Sequence, residues 1–401
     1  MKTLLQLVSE QTMQNLLPAM ALRPERIIHL CTPRMQEVSE ALSRAYKAAG
    51  LSPHVEEVRM GNMPGLRETA GAFHGVFRQF GDAIVNFTGG TKLMSIGAYA
   101  AASVAKKPSF YVDTASGCFV DGGTAPGLAE MFPGQNLGLD SIVRQLSVST
   151  IAIANGVERV TGGSDWRRFV PLARLLVLRP DLEQECFNAA SKWLATMPRD
   201  FSQRRTWMRN MYSTAFRGVP ADVVSIAVSS GLFEERNGSA FPAGTFARRL
   251  FSLQNTAKQR ELVPALEEAA LPLEFLQGKW WEVAVADHFD RSGKCRDIRW
   301  SVHAGSRGTD STDLEEDVLG VSGANLLYVS CKRGGLRERL SRFLEETESS
   351  ARRIGGSFAR KVFAVFLPQR PMMQSKLQNR CKELRIEFLD GETVRKELPT
   401  P

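Results

Sequence analysis

The sequence predicts an α/β protein in three parts: a parallel sheet with helices on both faces over residues 1–140, a helical middle part over 141–270, and a second α/β core over 271–401. Three observations predict this. Short apolar runs alternate with helical stretches in the first part, which is how a parallel sheet reads in sequence. The stretch from 150 to about 270 keeps mostly the period of amphipathic helices. The last part reads helix, three strands, helix, strand.

In the first part the expected strands are Leu4–Val8, Ile27–Cys31, His54–Arg59, Ala83–Phe87 and Ser109–Val112. Met35–Ala49, Pro64–Phe80 and Lys92–Val104 are the expected helices. Asp113 opens a turn through Gly117, and Cys118–Val120 is expected to return as an extra strand. Glycine- and proline-rich segments at 122–127 and 133–136 read as a linker, and Leu139–Leu146 as a connecting helix. The middle part contains helical stretches at Asp165–Leu178, Leu182–Thr196 and Gln203–Phe216. A short helix and a hairpin at Gly238 then look like part of a winged helix. Two readings stand for it, a nucleic-acid contact and a structural spacer, and the spacer is preferred. Arg204, Arg205 and Arg209 then form a solvated face.

The third part opens with a helix from Phe275 to about Phe289. Strands follow at Ile298–Val302, Asp317–Val321 and Asn325–Lys332, the last two joined by Ser322-Gly323-Ala324. Glu338–Ile354 is helical and stops at Gly355-Gly356. Lys361–Leu367 and Arg385–Phe388 complete the strands. Trp280 and Trp281 read as packing residues, Cys331 as an inert thiol, and His288 and His303 lack metal-ligand spacing.

Composition narrows the classes. The chain has 401 residues, 43% hydrophobic and 23% charged, as a globular protein does. A net charge of +8 favours a polyanionic partner. Six cysteines without a CxxC pair read as free thiols in a reducing compartment, the cytoplasm, and argue against a zinc site. No apolar stretch reaches the roughly 18 residues of a membrane span.

The stretch that organises the chain is Thr88-Gly89-Gly90-Thr91-Lys92-Leu93-Met94, between the Ala83 strand and the Lys92 helix. Two glycines permit close backbone approach and positive φ. The helix start presents free N–H groups and the positive end of a dipole, to which Thr91 adds a cap and Lys92 a charge. It is neither a P-loop nor a dinucleotide fingerprint. The residues alone allow two readings, an anion site or a tight crossover turn.

This stretch resembles the signature of CARF domains, the CRISPR-associated Rossmann-like sensors of cyclic oligoadenylates. Leu7–Gln11 followed by Asn15-Leu16-Leu17 is a second match, and Ile27–Thr32 a third. The resemblance implies a ligand site at Ser9, Glu10, Gln11, Thr32, Thr88, Gly89, Gly90, Thr91, Lys92, Met94 and Asp113. Topology supports it, since these residues fall at the carboxyl ends of the expected strands. A cyclic ligand further implies a homodimer with matching half-sites.

In the third part, Glu282 lies on a helix, Glu315 and Asp317 near the start of one strand, and Lys332 at the end of the next. Carboxylates hold hard cations, and a neighbouring lysine orients water and stabilises charge. Glu315, two residues before Asp317, is expected on the same face of an extended chain. The stretches Phe275–Glu282, Glu315–Val318, Ser330–Lys332 and Arg353–Gly356 resemble the PD-(D/E)XK-like nuclease module of CARF-fused effectors activated by cyclic oligoadenylate. That implies Asp317, Lys332 and Glu282 as catalytic, with Mg²⁺ or Mn²⁺ on Asp317, Glu315, Glu282 and Glu345, or Glu346. Two positions depart from the family pattern. Ser330 stands in place of the usual glutamate, and Leu314 in place of an asparagine.

The reading is a cyclic-oligoadenylate-activated, metal-dependent nuclease of type III CRISPR defence, acting on DNA or RNA, with cyclic tetra-adenylate as the expected ring. A CARF-containing DNA-binding regulator with an inactive nuclease fold is the alternative. A ring nuclease that destroys the signal in its own pocket is a third class, for which no general base stands out.

Overall fold

The computed structural model describes residues 3–114, 118–124, 139–163, 165–253, 259–305, 314–334, 339–367 and 371–398. The turn at 115–117 and the linker from residue 125 to 138 lie outside the described residues. The chain divides into two compact units. One contains Met1–Gly162, Lys294–Tyr328 and Ser341–Lys361; the other contains Gly163–Gly293, Val329–Leu340 and Val362–Pro401.

The first sheet follows the expected alternation: β1 (Thr3–Leu7), α1 (Met13–Leu22), β2 (Arg26–Cys31), α2 (Gln36–Ala48), β3 (His54–Arg59), α3 (Leu66–Gln79), β4 (Ala83–Asn86), α4 (Lys92–Val104), β5 (Ser109–Asp113) and β6 (Cys118–Asp121). Its order is β3-β2-β1-β4-β5-β6, with β1 to β5 parallel and β6 antiparallel to β5. Both faces are covered, so neighbouring strand residues enter different cores. Leu4, Ile27, Ile84 and Phe110 pack with α1 and α2 residues such as Leu17 and Leu42. Leu5, Ile28 and Val85 pack with Phe73 and Ala98 on α3 and α4.

The sequence reading did not include α1, which contains Pro18. A helical proline lacks the N–H that would reach four residues back. The carbonyl freed in this way, on Gln14, accepts instead from Asn86 Nδ2 at 2.8 Å.

A polar chain runs through this core. Ser39 Oγ donates to Glu57 Oε1 at 2.5 Å and so accepts from His29 Nδ1 at 2.8 Å. Tyr46 accepts from Gln6 Nε2 at 2.7 Å, which directs its hydroxyl proton to His29 Nε2 at 2.9 Å. Accepting at Nε2 requires neutral imidazole, and burial pushes the His29 pKa down to about 3. The depressed value sets the sign. Stability from neutral His29 is complete above the unfolded value of about 6.5 and falls by up to about 1.4 kcal/mol per pH unit towards pH 3. Urea titrations of wild type and His29→Gln at pH 7 and pH 4.5 are expected to show a smaller difference at pH 4.5. A constant difference would show that His29 is not held neutral.

The second sheet has the order β14-β13-β12-β11-β10-β7. β7 (Arg159–Thr161) comes from the stretch read as helical and pairs antiparallel with β10 (Cys295–Gly305). Three residues between Gly156 and Gly162 are too short to show a period. β11 (Leu314–Ser322), β12 (Asn325–Arg333), β13 (Arg360–Phe366) and β14 (Glu387–Asp390) follow, with the Leu340–Gly355 helix between β12 and β13. The expected middle hairpin is present as β8 (Phe233–Arg236) and β9 (Ser239–Pro242). Its turn, Asn237-Gly238, has φ of 49° and 70°, as a two-residue hairpin requires.

Candidate functional site

In the first unit, the strand order changes direction between β1 and β4, and open α/β sheets bind ligands at such a point. The carboxyl ends of β2, β1, β4 and β5 are neighbours there and carry Thr32, Ser9–Gln11, Thr88–Lys92 and Asp113.

Close backbone approach fixes the Gly89-Gly90 turn. A Cβ on Gly89 would stand 2.2 Å from Leu7 O and 3.4 Å from Ser9 Oγ. Gly90 adopts φ 76°. Leu7 O also accepts from Asn15 Nδ2 at 2.9 Å. Thr91 Oγ1 caps α4 by accepting from Met94 N at 3.3 Å. Thr91 and Lys92 are exposed at the positive end of this 13-residue helix. Ser9 Oγ is buried without a hydrogen-bond partner, which leaves a polar atom for a ligand to satisfy.

Two of the expected ligand residues also make scaffold contacts. Thr88 Oγ1 donates to Asn86 Oδ1 at 2.7 Å and accepts from Val112 N at 2.7 Å, which leaves one lone pair to accept from a further donor. Met94 is buried, and its Sδ accepts from Thr91 N at 3.5 Å. The residue missed is Asn86, whose amide joins the Thr88 turn to Gln14 of α1. The signal was a polar side chain closing an otherwise apolar strand.

The carboxylates of β11 also belong to the first unit. Glu316 is buried, accepting from Tyr328 Oη at 2.7 Å and Arg353 Nη2 at 2.6 Å. Burial raises its pKa, and both hydrogen bonds oppose that rise. Glu315 is exposed and accepts from Ser301 Oγ, while Asp317 is half-buried. Val302 pairs with Glu316 and shares a core cluster with Leu319, three residues further on. Ser301 has φ 53°. The β10/β11 register is nevertheless continuous from the pair Arg299 and Leu319 to the pair Ala304 and Leu314, so Glu315 and Asp317 keep the two-residue offset of an extended strand. Glu345 and Glu346, the other expected metal ligands, lie on the Leu340–Gly355 helix. Their helix buries Leu344, Thr347, Ala351 and Ile354, and both glutamates are exposed. Glu346 pairs with Arg342 at 2.7 Å.

Glu282 and Lys332 belong to the second unit, and both are half-buried. Glu282 lies in the first turn of the Trp280–Arg291 helix. Trp280 and Trp281 are core residues, as expected: both rings pack on Phe366, and Trp281 Nε1 donates to Ala364 O at 3.2 Å. Ser330 and Cys331 are buried on β12.

Residues 3–120 match the Card1 CARF domain. Sequence comparison with curated proteins gives no match. Among solved structures, the chain is similar to Can2 from Sulfobacillus thermosulfidooxidans in complex with cyclic tetra-adenylate, at 18% identity and TM-score 0.64, over 98% of this chain and 95% of that one. It is also similar to protein VC1899 from Vibrio cholerae, at 15% identity and TM-score 0.67, over the same 98% and 95%. At these identities the likeness is one of fold: a CARF domain followed by a further α/β part.

Among the described residues, no group of three or more His, Cys, Asp or Glu side chains gathers to hold a metal ion. Sites of soft nitrogen and sulfur ligands need such a group. Mg²⁺ does not, because one or two carboxylates suffice when waters and substrate phosphates complete its shell. Beside the CARF domain, Asp317 and Glu315 fit that smaller requirement, whereas Glu316 is committed to Tyr328 and Arg353.

Proposed function

We propose that the chain is an effector of type III CRISPR defence that cleaves nucleic acid when a cyclic oligoadenylate binds its CARF domain. The observation that carries this reading is the cradle at the β1/β4 switch point. There the Gly89 backbone, the buried unsatisfied Ser9 hydroxyl, the α4 amino terminus and Lys92 meet. Phosphates of a ring nucleotide satisfy each of these groups. Cyclic tetra-adenylate is the ring of choice, because Can2 holds it on a similar fold.

The chain acts as a homodimer with the ring on its two-fold axis. Leu93, Ile96 and Tyr99 support this: they lie on one side of α4 beside the cradle at 55%, 52% and 41% exposure. Such residues call for a partner surface, and a symmetric ligand calls for two half-sites.

Cleavage rests on Asp317, Lys332 and Glu282. Asp317, with Glu315, would hold Mg²⁺ or Mn²⁺, which when bound polarises the scissile phosphate and supplies hydroxide near neutral pH. Lys332 would stabilise charge that develops on the phosphate oxygens, and Glu282 would orient the attacking water. DNA and RNA both present that phosphate, and the net charge of +8 favours either. No helix among the described residues is long and apolar enough to cross a membrane, and the buried free thiols suit the cytoplasm.

Calorimetry of the full chain with cyclic tetra-adenylate tests the sensor half. One ring per two chains is expected. One ring per chain would remove the symmetric dimer, and no binding at micromolar protein would remove the sensor.

A further inference from the structure

The end of β12 is fixed by a buried ion pair within the second unit. Arg333 directly follows Lys332. Its guanidinium meets the Glu183 carboxylate along two parallel bonds, Nε to Oε1 at 2.5 Å and Nη2 to Oε2 at 3.1 Å. Glu183 is fully buried, at 0% exposure, in the Pro180–Leu194 helix. One turn further along that helix, the Phe187 ring lies under the guanidinium, 3.5 Å from its centroid to Cζ. A planar fork held at its edge and on its face has one orientation.

The same arginine runs beside the segment that precedes Glu282. Its stem runs past Gly278, where a Cβ would stand 3.8 Å from Arg333 Cδ. Gly278 leaves the helical conformation at φ 172° and ψ −23°, and the helix that begins at Trp280 carries Glu282 in its first turn. On the other side of Arg333, Gly334 N donates to Phe366 O at 3.2 Å, and Trp280 and Trp281 pack on the Phe366 ring.

A buried ion pair of this kind is often no more stabilising than apolar side chains of the same volume. What distinguishes it is direction. We infer that Arg333, clamped by Glu183 and Phe187, is a positioning residue that sets Lys332 and the Gly278–Glu282 segment for phosphodiester cleavage. The inference rests on the reading of Lys332 and Glu282 as catalytic. It also assigns a task to the helical middle of the chain, which supplies Glu183 and Phe187 as the backing of the catalytic strand.

The test is steady-state cleavage of a nucleic-acid substrate at saturating cyclic tetra-adenylate, using the full chain. Arg333→Lys keeps the charge and loses the fork. It is expected to lower kcat roughly 10- to 100-fold, the cost of a catalytic group misplaced by about an ångström. KM for the nucleic acid and the affinity for the ring stay unchanged. The double variant Glu183→Gln with Arg333→Met leaves no unpaired buried charge and decides the matter should Arg333→Lys not fold. It is expected to fold with kcat still depressed. A folded double variant with wild-type kcat would show that the pair only packs, and would overturn the inference. A wild type without cleavage, in the same assay, would instead overturn the nuclease reading on which the inference rests.

Discussion

Asp317→Ala and Lys332→Ala are each expected to abolish cleavage while leaving cyclic tetra-adenylate affinity at the wild-type value. The expected loss is on the order of 10³-fold or more in kcat. Removing one preorganised electrostatic group costs about 10²–10³ in rate, and a carboxylate that anchors a divalent cation removes the cation with it. Binding survives because the sensor residues lie at the strand ends of the first sheet, whereas Asp317 and Lys332 lie on β11 and β12 of the second. Glu345→Ala supplies the control. Its carboxylate is exposed, and its loss is expected to leave kcat within a factor of two or so, the usual range for a surface substitution. Paired cleavage assays and calorimetry check all three variants. Wild-type turnover in Asp317→Ala would displace the nuclease site from β11.

Lys92→Ala is expected to weaken ring binding by about 1.5–3 kcal/mol, the range for a hydrogen bond to a charged group, or roughly 10- to 150-fold in Kd. Gly89→Ala is expected to do more. Its methyl group would need to occupy a point 2.2 Å from Leu7 O; the methyl is fixed to Cα and the oxygen is backbone, so neither yields as a flexible side chain does. The turn must move away from β1, which separates the α4 amino terminus from Ser9. Loss of measurable binding and a lower melting temperature are expected together. A Lys92→Ala variant with unchanged Kd in calorimetry would remove that lysine from the ligand site.

The alternation of the first sheet was legible because each strand is a short apolar run and each helix a clear amphipathic stretch. The Gly89-Gly90 turn was legible because only glycine meets its backbone demands. The rest depended on partners far away in the chain. The hydrogen bonds of Thr88 to Asn86 and from Val112 N, which tie the turn to β4 and β5, could not be read from its chain position. The support for Pro18 within α1 comes from Asn86, which satisfies the carbonyl that the proline leaves free and lies far away in the chain. β7 is too short to show a period, and only its pairing with β10 defines it. The helix bearing Glu345 turns its apolar stripe inwards and the glutamate outwards, which its chain position alone did not reveal. The Glu183–Arg333 pair joins residues 150 positions apart, and no local pattern announces it.

Switching is the central claim, and a single measurement addresses it most directly: cleavage of a labelled nucleic acid by the purified full chain in Mg²⁺ buffer, with and without cyclic tetra-adenylate. Cleavage is expected only when the ring is present, and none with Asp317→Ala under the same conditions. Equal cleavage without the ring, or none with it, would contradict the account.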